Sequence, residues 1–230
     1  MRIGIVGSAG GSVFAEMVNA LANSATEKYE FCVITDRKCG METICREHGI
    51  TSSRVEKPDN KTFSSKAKAI FDRFGGVDFV LLFFTRLITK ELFSWYPTFN
   101  IHPSILPAFQ GFNPIEKAID FRARFFGATL HLVDNSADSG PIVAQVSMPI
   151  AVPTPEQLLN KCSFVQKVYL SLLLVDLFET KVIEFSEGYS DVYLPKDLLY
   201  NDRCNPVITS SDYLSYIKRL QAYEKLEVII

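Results

Sequence analysis

The chain has 230 residues, 47% of them hydrophobic, and a formal net charge of −2 at pH 7. This length and apolar content allow a large core to be buried in one domain, with room for a small appendage. The nearly balanced charge and the lack of a block of basic residues argue against a nucleic-acid surface as the main partner.

The five cysteines form no Cys-x-x-Cys pair, and we expect them to be free thiols of a reducing compartment. The apolar run at the start is too short for a signal peptide. A second apolar run, VYLSLLLVDLF at 168–178, contains Asp176 and is too short for a membrane span. We therefore expect a cytoplasmic protein that does not contact a membrane.

The first part of the chain alternates apolar strand-like runs with helix-like spacing. The run VDFVLLFF at 77–84 is continuously apolar, as in a strand buried on both faces. The alternation predicts an α/β fold, a Rossmann-like open and mostly parallel sheet with flanking helices. Strands are predicted at 2–6, 31–35 and 77–84, and helices at 13–23, 42–48 and 64–74.

The second part has a different pattern, with longer strand-like runs and one long apolar helix. We predict a catalytic domain over residues 1–185 and a C-terminal appendage over 186–230, packed on or beside it. Here strands are predicted at 128–133 and 142–150, and helices at 114–121, 155–178 and 213–226.

The stretch GSAGGS at 7–12 joins the first predicted strand to the first predicted helix. Its backbone N–H groups, together with the positive end of the helix, could hold a phosphate. Alternatively, the turn needs glycine only for its conformation. The spacing fits neither Gly-x-Gly-x-x-Gly nor a P-loop, so both interpretations stay open.

Three polar residues form a candidate catalytic group. Asn100 and His102 come just after a predicted strand, where open parallel sheets bind ligands, and Asp138 lies in a later loop. An amide, an imidazole and a carboxylate together can stabilise an oxyanion and move a proton. Each residue could instead have a purely structural role. The three histidines are too scattered for us to expect a metal site.

Several motifs resemble those of the folate-dependent formyltransferases. In chain order they are VITDRKCGMETICREHGI at 33–50, FFTRLIT at 83–89, NIHPSILPAFQG at 100–111, GATLHLVD at 127–134 and DSGPIVAQ at 138–145. The resemblance covers roughly residues 2–175 and implies the formyltransferase fold. The run from Asn100 to Gly111 is its most specific part.

The resemblance implies a role for each of the three candidate catalytic residues. Asn100 would donate a hydrogen bond to the formyl oxygen as it becomes an oxyanion. His102 would give that oxygen a positive or proton-donating partner, and Asp138 would hold His102 in place. The formyl donor would be 10-formyltetrahydrofolate, used as a cosubstrate, and no metal would be needed.

The resemblance also implies two binding regions. Residues 10–12 match the loop that binds the phosphate of the substrate, and residues 86–88 and 133–137 would line the pterin pocket from two sides. By number, these are Gly10, Gly11 and Ser12 for the phosphate, and Arg86, Leu87, Ile88, Val133, Asp134, Asn135, Ser136 and Ala137 for the folate.

The expected reaction is transfer of a formyl group to the amine of glycinamide ribonucleotide, a phosphate-bearing small molecule of purine biosynthesis, by a monomer or homodimer. Some positions depart from that branch of the family: Val13 replaces an asparagine, Gln166 and Lys167 replace a glutamate-histidine pair, and FNPIEKAI follows Gly111. The FNPIEKAI segment and the end of the C-terminal appendage more closely resemble the corresponding parts of the formyltransferases that modify methionyl-tRNA or sugar amines.

Alternative functions follow from these departures. The first is an N-formyltransferase acting on a nucleotide-linked amino sugar, with Tyr193 or Tyr200 stacking on the base. Methionyl-tRNA is disfavoured as acceptor because the chain has no basic face. A folate deformylase uses a similar trio with water as acceptor, but such relatives usually carry an additional domain before the first strand. The non-enzyme alternative is a catalytically inactive protein that binds folate or nucleotide.

Overall fold

The computed structural model describes residues 1–23, 29–56 and 59–226. Its strands are β1 Arg2–Gly7, β2 Glu30–Thr35, β3 Thr51–Arg54, β4 Phe79–Phe83, β5 Thr98–His102, β6 Phe125–Leu132, β7 Ile142–Pro149, β8 Glu184–Phe185, β9 Val192–Tyr193 and β10 Cys204–Asn205. Its α-helices are α1 Ser12–Ala22, α2 Gly40–Glu47, α3 Asn60–Arg73, α4 Lys90–Phe93, α5 Pro114–Asp120, α6 Glu156–Glu179 and α7 Ser211–Glu224.

The strands form an eight-stranded sheet in the order β10-β7-β6-β5-β4-β1-β2-β3 and a two-stranded sheet of β8 and β9. The pairs β1–β2, β1–β4, β2–β3 and β4–β5 are parallel. The pairs β6–β7 and β7–β10 are antiparallel. The predicted mostly parallel α/β sheet with flanking helices is confirmed.

Every predicted strand and helix is present, with ends shifted by at most four residues. The sequence did not predict β3, α4, β5, β8, β9 and β10. One expectation about the candidate site is wrong: Asn100 and His102 do not follow a strand but lie inside β5. They are in a strand because β5 pairs in parallel with β4, in a register that puts Leu82 opposite Asn100.

The Cα positions divide the chain into two compact units. The first comprises residues 1–100, 132–140 and 185–191, and the second comprises 101–131, 141–184 and 192–230. Both units are assembled from separated stretches of the chain. The predicted boundary after residue 185 stays a prediction, and residues 227–230 of the predicted appendage lie outside the described ranges.

The first unit has a core in which strand side chains meet one face of α3. Asp59 caps α3, because its side chain accepts a hydrogen bond from the Thr62 N–H at 2.9 Å. The buried members of this core are Val6, Cys32, Ile34, Val55, Phe63, Ala67, Phe71, Val77, Val80, Leu82, Ile88, Leu92 and Phe93.

The second unit contains the long helix α6, and α5, α7 and β7 contact it. By length and composition α6 could cross a membrane, but 72% of its most apolar window is buried inside the protein. Asp176 in α6 is 4% exposed and accepts hydrogen bonds from the Thr209 N–H at 2.6 Å and the Ser210 N–H at 3.2 Å. This carboxylate therefore ties the segment before α7 to α6.

Candidate functional site

The glycine turn between β1 and α1 has one glycine that packing requires and one that it does not. Gly11 has φ +81°, and a Cβ there would lie 2.9 Å from Ile44 Cδ1 and 3.0 Å from Met41 Cα. A Cβ at Gly10 would meet nothing within 4 Å in the described part of the chain. Steric demand therefore explains Gly11 but leaves Gly10 open to a functional explanation.

The same turn leads directly into the N-terminus of α1. Ser12 is the first residue of α1, and the N-cap residue Gly11 has no side chain with which to cap the helix. The first N–H groups of a helix have no partner within the helix, and its dipole favours an anion at this end. Gly10 and Ser12 are both exposed, so their backbone is within reach of a small ligand.

The structure brings Asn100 and Asp138 into contact in the first unit. The Asn100 Nδ2 donates to Asp138 Oδ1 at 3.2 Å. Asp138 has φ +53°, an uncommon conformation for a residue with a side chain. The loop that carries it closes tightly, because a Cβ at Gly140 would lie 1.9 Å from the Leu132 carbonyl oxygen. Only glycine fits at that position.

The remainder of the loop 133–140 is held by Asp134. This carboxylate accepts from the Ser136 N–H at 2.9 Å and from Ser139 Oγ at 3.2 Å. Asn135, Ser136 and Ala137 are exposed. The loop thus combines an internally bonded backbone with accessible residues at its tip. Its predicted contact with a pterin ring stays a prediction.

His102 is 4% exposed, and its Nε2 lies 2.9 Å from the Phe109 carbonyl oxygen. A carbonyl oxygen can only accept, so Nε2 carries the hydrogen of this bond. The contact thus assigns the tautomer with its hydrogen on Nε2, in which Nδ1 carries the lone pair. The predicted hold of Asp138 on His102 stays a prediction.

Arg86, at the start of the predicted folate segment, has a fixed side chain. Its Nε and Nη2 donate to Asn60 Oδ1 at 3.1 Å and 2.9 Å. Its Nη1 lies 3.6 Å from Asp36 Oδ2. Hydrogen bonds from Arg37, together with the charge of Arg86, hold the pKa of the Asp36 carboxyl below its usual range. No local sequence pattern indicates Asn60, because its role depends on the tertiary contact with Arg86.

The other two residues of this segment differ in exposure. Leu87 is 54% exposed, whereas Ile88 is 4% exposed and belongs to the core of the first unit. The next residue, Thr89, donates its N–H to Ser64 Oγ at 3.0 Å. The backbone at 86–88 is therefore anchored on both sides, and Leu87 presents an apolar side chain outward.

Gln166 and Lys167 of α6 lie in unusual surroundings. Gln166 is 0% exposed, and neither its Nε2 nor its Oε1 has a hydrogen-bond partner among the described residues. Burial lowers the pKa of the Lys167 ammonium. Buried polar groups without partners are uncommon in folded proteins. These are the two positions at which the sequence departs from the glutamate-histidine pair of the resemblance.

Within residues 1–23, 29–56 and 59–226, no group of three or more His, Cys, Asp and Glu side chains is placed to hold a metal. The expected independence from metal stays a prediction.

Comparisons with a family model, with curated sequences and with solved structures all indicate the same family. A model described as Formyl transferase matches residues 1–173. The chloroplastic phosphoribosylglycinamide formyltransferase of Arabidopsis thaliana is 31% identical over 174 residues, or 70% of this chain and 59% of that protein. Formyltetrahydrofolate deformylase 2 of the same plant, a mitochondrial protein, is 31% identical over 143 residues, or 59% of this chain and 41% of that protein.

Among solved structures, the phosphoribosylglycinamide formyltransferase from Anaplasma phagocytophilum is 25% identical, with a TM-score of 0.73 over 85% of this chain and 94% of that one. The fold implied by the resemblance is thereby confirmed. The chain spans less than two thirds of the length of the two plant relatives.

Proposed function

Because the chain belongs to the formyl transferase family, we propose that it transfers a formyl group from 10-formyltetrahydrofolate to the amine of a phosphate-bearing small molecule. Glycinamide ribonucleotide is the expected acceptor. The observation that carries the proposal is that the family match over residues 1–173 includes Asn100, His102 and Asp138. Relatives named for this reaction support the same acceptor.

In the proposed reaction, the lone pair of the acceptor nitrogen attacks the formyl carbon and the C=O electrons move onto oxygen. Asn100 Nδ2 and a protonated His102 would stabilise that oxyanion. The acceptor nitrogen then loses a proton, N10 of the folate gains one, and the bond between N10 and carbon breaks to release tetrahydrofolate. Preorganised donors to an oxyanion each contribute on the order of 3 kcal/mol to such a step.

The bond between Asn100 and Asp138 fits this role. By donating to Asp138 Oδ1 at 3.2 Å, the Asn100 amide is fixed with a known orientation of nitrogen and oxygen. The amide nitrogen carries two hydrogens, so it can serve as an oriented donor. The charge of Asp138 would favour the protonated form of an imidazole placed near it. His102 follows Asn100 by two residues in β5, and alternation along a strand directs such side chains to one side.

The ligand contacts are proposed from the two binding regions. The anchored backbone at 86–88 and the loop 133–137 would hold the pterin, with Leu87 adding apolar contact. Gly10, Gly11 and the N–H of Ser12 would hold the phosphate, supported by the open space around Gly10.

A second candidate acceptor is a nucleotide-linked amino sugar. Tyr193 and Tyr200, which would stack on its base, are 53% and 74% exposed. Aromatic side chains at such exposure are available for stacking on a nucleobase. In this alternative the formyl donor and the roles of Asn100, His102 and Asp138 are unchanged.

The test is a panel of acceptors incubated with 10-formyltetrahydrofolate, with release of tetrahydrofolate followed by absorbance. Glycinamide ribonucleotide is compared with UDP- and TDP-linked amino sugars and with a reaction lacking amine. Turnover only with glycinamide ribonucleotide supports the first acceptor, and turnover only with an amino sugar replaces it by the second. Equal release of tetrahydrofolate and formate without amine would identify a deformylase and overturn the proposal.

A further inference from the structure

A buried hydroxyl beneath the loop after His102 makes three hydrogen bonds. Thr129 in β6 is 0% exposed. Its Oγ1 donates to the Ser104 carbonyl oxygen at 2.8 Å, and it accepts from the Leu106 N–H at 3.0 Å and from Gln145 Nε2 at 3.1 Å. A threonine hydroxyl has one hydrogen to donate and two lone pairs, so these bonds use its full capacity.

Gln145 completes the hold on the same loop. It stands opposite Thr129 in the antiparallel pair of β6 and β7. Its Nε2 also donates to the Leu106 carbonyl oxygen at 2.8 Å. Leu106 is therefore bound at both its N–H and its carbonyl by side chains that project from two paired strands. A rigid element, and not the loop itself, sets the position of Leu106.

Hydrogen bonds within the loop connect Leu106 to the ring of His102. The Ala108 N–H donates to the Ile105 carbonyl at 3.0 Å, and Ser104 Oγ donates to the Ala108 carbonyl at 2.5 Å. These bonds fold the chain on both sides of Leu106 into one compact turn. The residue after Ala108 is Phe109, whose carbonyl oxygen accepts from His102 Nε2 at 2.9 Å. The loop thus begins at His102 and returns to bind its ring.

We propose that Thr129 and Gln145 are positioning residues for His102: by fixing Leu106 they place the Phe109 carbonyl, which keeps the ring hydrogen on Nε2 and leaves proton transfer to Nδ1. The inference deepens the proposed formyl transfer and rests on it for its catalytic meaning. All of these residues belong to the second unit. A ring with the other tautomer, or one turned about its axis, would present the wrong atom to the formyl oxygen.

The kinetic test compares Thr129→Val, which keeps the branched shape but loses the hydroxyl, with Thr129→Ser, which keeps the hydroxyl. Because a displacement on the order of 1 Å can slow a reaction about 100-fold, we expect kcat of Thr129→Val to fall about 10- to 100-fold. The KM for 10-formyltetrahydrofolate should stay within about threefold, and Thr129→Ser should restore kcat to within about threefold of the parent. Retention of kcat by Thr129→Val, or an equal loss in Thr129→Ser, overturns the inference.

Matched controls separate positioning from loss of stability. Ser171 is also a 0% exposed hydroxyl of the second unit, and it donates to the Lys167 carbonyl at 2.8 Å. Ser171→Ala should leave kcat within about threefold of the parent. Gln145→Met, at a half-buried position, removes the hydrogen bond to the Leu106 carbonyl. If Thr129→Val does not fold, the same limits on kcat and KM are applied to Gln145→Met.

A spectroscopic readout makes the result independent of turnover. The chain has three histidines, so 15N NMR of labelled imidazoles resolves few signals, and a His102→Ala sample assigns that of His102. We expect neutral His102 to carry its hydrogen on Nε2 in the parent, in Ser171→Ala and in Thr129→Ser, and a mixture of tautomers in Thr129→Val and Gln145→Met. An unchanged tautomer in both of the last two overturns the inference. Failure of formyl transfer in the parent overturns only the proposed function.

Discussion

Asn100 donates from Nδ2 to Asp138 Oδ1 at 3.2 Å, although the two residues are 38 positions apart in the chain. The contact joins the part of β5 that belongs to the first unit to a loop that Gly140 closes. An amide bonded to a carboxylate has its nitrogen directed toward that carboxylate, so the bond fixes which end of the amide is the donor. Asp138 is therefore expected to act through Asn100 as well as through its charge.

This double role predicts a large effect of Asp138→Asn. The variant keeps the size of the side chain but loses the negative charge, and its amide can turn either an oxygen or a nitrogen toward Asn100. We expect kcat to fall by about 100- to 10,000-fold, the range typical of losing acid–base assistance. Steady-state rates of tetrahydrofolate release measure the change. Asp197→Asn makes the same substitution at an exposed residue of the tail, and an equal loss there would contradict the assignment.

His102→Ala tests the imidazole directly. We expect turnover to fall about 100-fold or more, because the oxyanion loses its charged partner. The Kd of the folate should stay within about threefold of the parent, because the proposed interaction of His102 is with an oxyanion that forms only during the reaction. Turnover and equilibrium binding by fluorescence titration separate the two effects. His48→Ala, at the exposed end of α2, is the matched control. Near-parental turnover of His102→Ala would show that its assigned role is wrong.

The sequence predicts the core strands better than the edge strand and β5. The strand β4 is read easily because five consecutive residues, FVLLF, are apolar and mostly buried. The edge strand β3 has the sequence TSSR and exposes most of its side chains, so it carries no hydrophobic signal. For β5, the five residues TFNIH lie between two prolines, and only pairing with β4 reveals a strand.

The candidate site likewise has residues that a sequence motif predicts and contacts that depend on tertiary structure. The motif from Asn100 to Gly111 predicts Asn100 and His102 as candidate residues, and the loop sequence predicts Asp138 as a partner of His102. These assignments stay predictions, and the contact of Asp138 with Asn100 was not predicted. The support from Thr129 and Gln145 depends on the register of β6 against β7, which sets those two residues opposite each other. A one-residue slip would turn either side chain to the other face, so no local pattern could have predicted this contact.

Replacement of Asn60 should weaken folate binding through Arg86. Asn60→Leu removes the oxygen that accepts from Arg86 Nε and Nη2. The guanidinium then loses its fixed geometry, and the backbone at 86–88 becomes less ordered. Ordering it again on binding costs about 1–2 kcal/mol per residue, so we expect the Kd of the folate to rise about tenfold. Asn160→Leu, at an exposed position of α6, is the control. An unchanged Kd would exclude a folate role for this anchored segment.

Asp36 predicts a specific dependence of stability on pH. Asp36 is 6% exposed, and hydrogen bonds from Arg37 lower the pKa of its carboxyl from the ordinary 3.8. A group with a lower pKa in the folded state stabilises the protein fully above 3.8, and this contribution is lost as pH falls from 3.8 through the folded-state pKa. We expect Asp36→Asn to reduce the free energy of unfolding by about 1–3 kcal/mol at pH 7.

The same variant should differ less from the parent near pH 3, because that pH lies below 3.8 and part of the stabilisation linked to the charge of Asp36 is lost there. Denaturant unfolding at the two pH values measures the difference. Glu47→Gln is the control, because Glu47 is exposed at the end of α2. A destabilisation by Asp36→Asn that is equal at both pH values would show that packing, and not the charge, is responsible.

The tail is expected to depend on one carboxylate of α6. Asp176 accepts from Thr209 through both its N–H at 2.6 Å and its Oγ1 at 2.9 Å, and from the Ser210 N–H at 3.2 Å. Because hydrogen bonds to a charged group contribute about 1.5–3 kcal/mol, Asp176→Ala should lower the free energy of unfolding by at least about 2 kcal/mol.

Loss of this anchor should loosen α7 before the remainder of the second unit. Tyr213 and Ile217 of α7 are 1% and 0% exposed, so their detachment would expose apolar surface. Hydrogen exchange followed by mass spectrometry is expected to show faster exchange across α7 in Asp176→Ala, with little change in β1 or β4. Asp212→Ala in the exposed first turn of α7 is the control. Uniform acceleration over both units would show that Asp176 stabilises the whole protein and does not specifically anchor the tail.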